Sequence, residues 1–123
     1  MTDDRWTAIH DFWSSFGIPA YDESTVPVDA EFPRITYSVS VDSIDRPVST
    51  YANVWYRSTS WLDASQKADE IEKAILEMNP PTIDIDTGRV YITRGTPFAQ
   101  RLTDPDDMVR RIYINVNVEY FTN

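Results

Sequence analysis

The final segment of the chain alternates apolar and polar side chains from Ile112 to Phe121. A period of two places successive side chains on opposite faces of a β-strand. The segment is therefore predicted to be a strand with one buried face, and its length suits a central strand or one that extends beyond the domain. The apolar series is Ile112, Ile114, Val116, Val118 and Tyr120.

Four further segments are predicted as strands, arranged as two hairpins. They are rich in β-branched and aromatic residues, and short runs of turn-forming residues separate the members of each pair. The strands are 35–41 and 49–59, joined by turn residues at 43–47, and 83–86 and 89–93, joined by Thr87 and Gly88.

Two segments have the spacing of amphipathic helices. The first has Thr2 or Asp3 as a candidate cap and ends at Gly17, and the second follows Ser60 and is stopped by Pro80 and Pro81. The predicted apolar faces are Trp6, Ile9, Phe12, Trp13 and Phe16, then Ala64, Ala68, Ile71, Ile75 and Met78.

These elements predict an α+β fold in the order α-β-β-α-β-β-β, as a single domain spanning residues 1–123. Hairpin-length connections favour a mainly antiparallel β-sheet, with the two principal helices packed on one face. Residues 18–33 contain three prolines and no sustained period, so we expect an extended connection there.

The segment Arg94–Met108 is predicted as a long irregular loop, and loops of that length are usually functional or disordered. Its apolar and cationic side chains favour function. Phe98 either anchors the loop locally or inserts into a neighbouring subunit. The candidate subunit-interface residues, chosen by position and type, are Arg94, Phe98, Gln100, Arg101 and the flanking Arg110.

Composition excludes several classes of function. The chain has no cysteine, which removes thiolate catalysis and disulfides, and its formal charge of −9 opposes nucleic-acid binding. No apolar run is long enough to cross a bilayer, and the acidic start is unlike a signal peptide. Aromatic residues make up 13% of the chain, which suggests that some lie at subunit contacts, although the four tryptophans are expected in the core.

No motif predicts catalysis, a metal or a cofactor. Asp86-Thr87-Gly88 matches the triplet of aspartic proteases, but Arg89 follows it, and a hairpin turn explains the residues better. The aspartates at 104–107 lack calcium-loop spacing. His10, the only histidine, is expected at the surface of a helix. The chain is therefore predicted not to be an enzyme.

The order of elements and several local phrases resemble the tail terminator and tail-completion proteins of long-tailed bacteriophages. The resemblance covers nearly the whole chain. The phrases are Phe32-Pro33 entering Ile35-Thr-Tyr37, Ser60-Trp-Leu-Asp63 opening an alanine-rich helix, Gly88-Arg-Val-Tyr-Ile92, Pro97-Phe98 and Arg111-Ile-Tyr-Ile-Asn-Val116.

The resemblance implies a structural virion protein in the neck region of the tail, assembled in the host cytoplasm. It implies a homo-oligomeric ring, usually a hexamer, that stops growth of the tail tube and meets a head-completion or connector protein. DNA would pass through such a ring without specific binding. The alternatives are another head–tail joining or tail-tube subunit, or a small module that binds a host protein.

Overall fold

A computed structural model describes residues 4–39 and 46–122, and only the backbone of residue 122. The chain forms two α-helices, one short 3-10 helix and six strands. The elements are α1 Arg5–Ser14, β1 Ala20–Asp22, the 3-10 helix Glu23–Thr25, β2 Arg34–Tyr37, β3 Val48–Arg57, α2 Leu62–Glu77, β4 Thr82–Ile85, β5 Gly88–Leu102 and β6 Val109–Thr122.

The six strands form one sheet in the order β1-β2-β3-β6-β5-β4. All neighbours are antiparallel except β1 and β2, which run parallel. The alternating terminal segment is β6, which lies in the middle of the sheet between β3 and β5. The predicted α+β class and mainly antiparallel sheet are therefore confirmed.

Both helices pack on the same face of the sheet and share one core with it. Trp13 of α1 is 2% exposed, and Ala64 and Ile71 of α2 are fully buried. The small alanines let α2 approach the sheet closely, as its sequence predicts. The apolar series of β6, from Ile112 to Tyr120, supplies the facing side of this core.

The helix ends follow local chemistry. Asp4 caps α1, because its Oδ1 accepts a hydrogen bond from the Thr7 amide at 2.7 Å. The predicted caps Thr2 and Asp3 lie outside the described residues, as does most of the predicted turn at 43–47. Gly17 has a φ of +83°, the left-handed conformation expected just after α1.

The segment 18–33 contains more structure than its prolines predict. β1 lies within it and pairs in parallel with β2, and the Ile35 amide donates to the Pro19 carbonyl at 2.8 Å. The 3-10 helix that follows β1 contacts the sheet through Glu23, whose carboxylate accepts a hydrogen bond from the Tyr51 hydroxyl at 2.8 Å. β1 forms because it pairs with β2, which lies more than ten residues further along the chain, so the local sequence pattern of residues 18–33 does not indicate it.

The predicted irregular loop is wrong over most of its length. β5 continues to Leu102, and the connection to β6 spans only residues 103–108. Gly95 and Pro97 lie within this strand, where an irregularity in its pairing with β6 absorbs both residues.

Candidate assembly surface

The centre of β5 carries a large bulge opposite β6. Arg94 pairs with Val116 and Ala99 pairs with Ile114, so four residues of β5, 95–98, face the single residue Asn115. We call residues 95–98 the β5 bulge. A bulge of this size bends a strand and redirects its side chains. It therefore determines where the candidate residues before and after it lie.

Two asparagines of β6 hold the bulge in place. Asn115 donates its Nδ2 hydrogen to the Pro97 carbonyl at 2.9 Å, and Asn117 donates to the Arg94 carbonyl at 3.3 Å. Gly95 lies so close to β6 that a Cβ atom there would be 2.6 Å from the Asn115 Cβ. The bulge is thus fixed by specific residues on both strands.

The bulge and the end of α2 enclose a surface cleft of about 590 Å³. Phe98 is half-buried and packs against the core, beside Met78. At the rim, the Arg94 guanidinium donates to the Glu72 carboxylate at 3.0 Å. Phe98 therefore packs against the core of its own subunit at the bulge.

Two of the candidate residues, Arg101 and Arg110, lie beside the indole ring of Trp61. Their guanidinium carbons are 4.9 Å and 5.6 Å from the centroid of that ring. Arg110 also donates to the Thr59 carbonyl at 3.0 Å. Attraction between guanidinium groups and an indole face holds such residues in place. Trp61 thus gathers two cations from β5 and β6 near the start of α2.

A second set of arginines stacks on the helix-free face of the sheet. The guanidinium carbons of Arg34 and Arg57 lie 4.3 Å and 4.9 Å from the centroid of the Phe32 ring. Trp55, which pairs with Arg34 and Arg111 on either side, lies 5.7 Å and 4.9 Å from their guanidinium carbons. Arginines and aromatic rings therefore follow one another across β2, β3 and β6.

The two arginine sets lie at the same end of the sheet, where β3 and β5 finish and β2 and β6 begin. We call this region the arginine end. It combines five guanidinium groups with three aromatic rings, each of which meets two of those groups. Its members are Phe32, Arg34, Trp55, Arg57, Trp61, Arg101, Arg110 and Arg111.

The aspartate-rich connection at 103–108 stabilises its own turns. Asp106 accepts from the Met108 amide at 2.9 Å and lies 3.3 Å from the Arg57 guanidinium. The Met108 hydrogen bond, and then Arg57, lower the pKa of Asp106. Within residues 4–39 and 46–122, no three histidine, cysteine, aspartate or glutamate side chains converge on a metal-sized site.

The five predicted interface residues occupy three separate places. Arg94 and Phe98 line the cleft, Arg101 and Arg110 belong to the arginine end, and Gln100 is exposed on the helix-free face. Whether any of them contacts another subunit remains a prediction.

The expectation that all four tryptophans lie in the core is wrong for two of them. Trp13 is buried and Trp61 is half-buried against the core, but Trp6 is 49% exposed, and Trp55 is half-buried beside arginines on the helix-free face. The remaining members of the arginine end were not predicted from the sequence. The one available signal was the period of β2 and β3, which places Arg34 and Trp55 opposite the apolar face.

Comparisons with known proteins identify a shared fold. The structure is similar to a chain from the virion of a native gene transfer agent particle, with a TM-score of 0.61 and 15% sequence identity over 88% of this chain and 83% of that one. A second solved chain, for which no function is named, aligns at a TM-score of 0.49 and 16% identity over 94% of this chain and 90% of its own. No protein-family model and no curated protein matches the chain.

Proposed function

We propose that the protein is a structural, non-catalytic component of a phage-type virion. Its role would be that of a tail terminator, a ring at the head-proximal end of the tail tube that stops tube growth and meets the head connector. The observation that carries this proposal is the fold that it shares with a chain of a gene transfer agent virion. The resemblance of its sequence phrases to tail terminators supports the finer role.

The surface chemistry agrees with assembly. Arginine and tryptophan are enriched where proteins contact one another, and the arginine end combines the exposed Arg101 with the half-buried Trp61. Leu62 and Leu76 of α2 are 60% and 58% exposed, which leaves apolar surface for a partner to cover. Neither described helix combines the length and apolar character needed to cross a membrane.

The test is assembly of the purified chain. Its native mass is measured by light scattering after size exclusion, and the same sample is imaged by negative stain. A terminator is expected to give closed rings with a central hole and to shorten tubes when added to polymerising tail-tube subunits. A tail-tube subunit would instead form long tubes by itself, and a head–tail joining protein would bind connectors without changing tube length.

A further inference from the structure

The arginine end collects nearly half of the cations of an acidic chain. It holds five of the eleven basic residues, which leaves six to balance twenty acidic residues over the chain. Two copies that approach through most other surfaces would therefore repel each other. The connection 103–108 adds three aspartates at this end, so its five arginines still outnumber the neighbouring carboxylates of that connection. Through the arginine end, one copy can therefore meet the acidic surface of another with favourable charge.

The guanidinium groups of this end are suited to contact a partner. Stacking on rings fixes their planes, so little further ordering is needed when a carboxylate binds. Arg101 is exposed, and its guanidinium group makes no hydrogen bond or ion pair within the described part of the chain. Arg111 donates a hydrogen bond from its Nε to the Oδ1 of Asn53 at 2.9 Å. Arg57 already pairs with Asp106, and Arg34 and Arg110 already donate to backbone carbonyls. Among the described residues, Arg101 and the terminal nitrogens of Arg111 can therefore donate to a partner's carboxylates, while the rings supply apolar contact.

The outer face of α2 has the complementary chemistry. Asp63, Glu70 and Glu77 follow one another at intervals of seven residues, which places them along one side of the helix, and all three are exposed. Leu62 and Leu76 are exposed on the same helix. The ion pair from Lys73 to Glu77 at 3.8 Å lies at the surface, where such pairs contribute little, so Glu77 is available to a partner. Glu70 pairs at 3.0 Å with Lys67, which is only 14% exposed.

We infer that the arginine end of one subunit docks on the outer face of α2 in a second copy of this chain. The inference rests on the proposed ring, because two different patches that meet head to tail generate a closed ring when the rotation closes. The inference specifies which two surfaces meet in that ring. One surface carries arginines and aromatic rings, and the other carries carboxylates and exposed leucines.

The experiment compares charge-reversal variants of the full chain at one fixed ionic strength. Arg101→Glu places a carboxylate in the arginine end, and Arg89→Glu makes the same charge change at an exposed position near the opposite end of β5. The midpoint concentration for ring formation is measured by light scattering, and folding is checked by circular dichroism. Arg101→Glu is expected to raise the midpoint about tenfold or more, and Arg89→Glu to change it less than about twofold.

A charge swap then identifies the partner surface. The double variant Arg101→Glu with Glu77→Arg is expected to recover most of the lost assembly, because the reversed charges meet again across the contact; Glu77 is chosen because both partners of its ion pair with Lys73 are mostly exposed. Rings that form equally well with Arg101→Glu and with Arg89→Glu would overturn this contact and leave the ring proposal standing. A wild-type chain that forms no ring in solution or on tail tubes would overturn both.

Discussion

Adding one methyl group at Gly95 tests how tightly β5 and β6 are locked at the bulge. In Gly95→Ala, the new Cβ would lie 2.6 Å from the Asn115 Cβ and 3.0 Å from the carbonyl carbon and oxygen of the same residue. Separations below about 3 Å are far shorter than the usual carbon–carbon contact of roughly 3.5–4 Å. Asn115 belongs to the central strand, so its backbone cannot yield without disturbing β3 as well.

Overpacking of this kind typically costs about 1–3 kcal/mol. For a domain of this size, that corresponds to a melting temperature lowered by roughly 4–12 °C. The measurement is urea denaturation, in which the midpoint should fall while the slope with denaturant stays unchanged, because the surface exposed on unfolding is the same.

Gln100→Ala is the control for that experiment, since Gln100 is exposed on the same strand just beyond the bulge. It should change stability by no more than about 0.5 kcal/mol. If Gly95→Ala also stayed within that range, the close approach of β5 to Asn115 would not be a constraint, and the account of the bulge would be wrong.

Three further variants probe the core and the cleft. Tyr120→Phe should keep or raise stability at neutral pH, because the buried hydroxyl has no hydrogen-bond partner among the described residues. Burial raises the pKa of Tyr120 to about 12 in the folded protein, above the value of about 10 in the unfolded chain. The free energy of unfolding should therefore be unaffected by this titration below pH 10 and should fall as the pH rises towards 12. Urea denaturation at pH 8 and 11 should therefore show that Tyr120→Phe loses less unfolding free energy at the higher pH than the wild type does. An equal loss would contradict the raised pKa of Tyr120. Phe98→Ala should cost about 1–3 kcal/mol in the same denaturation, since the ring is half-buried, whereas an unchanged midpoint would show that it does not anchor the bulge. Arg94→Ala removes a partly exposed ion pair to Glu72 and should cost no more than about 1 kcal/mol, so a larger loss would give that pair a structural role.

The elements with a sustained period could be predicted from the sequence. α2 repeats its apolar residues every three or four positions from Ala64 to Ile75, and those side chains are buried in the structure. β6 alternates without interruption, and its apolar face is likewise buried. The hairpin of β4 and β5 also follows from turn residues at Thr87 and Gly88. In each case the signal lies within a few adjacent residues.

The remaining features depend on contacts between distant segments. The β5 bulge exists because Asn115 and Asn117 of β6 bind its carbonyl groups, so Gly95 and Pro97 taken alone read as the end of a strand. The arginine end unites residues that lie far apart in the chain. The register of β2, β3, β6 and β5 brings their strand residues together.

The central claim of this account is that the protein closes into a ring of identical subunits. The most direct measurement is the native mass of the purified wild-type chain, with negative-stain images of the same sample, alone and after addition to tail tubes. The account predicts a discrete oligomer, most simply a hexamer, with a central hole, seated at one end of each tube. A chain that stays monomeric in solution and leaves the tube ends bare would contradict it.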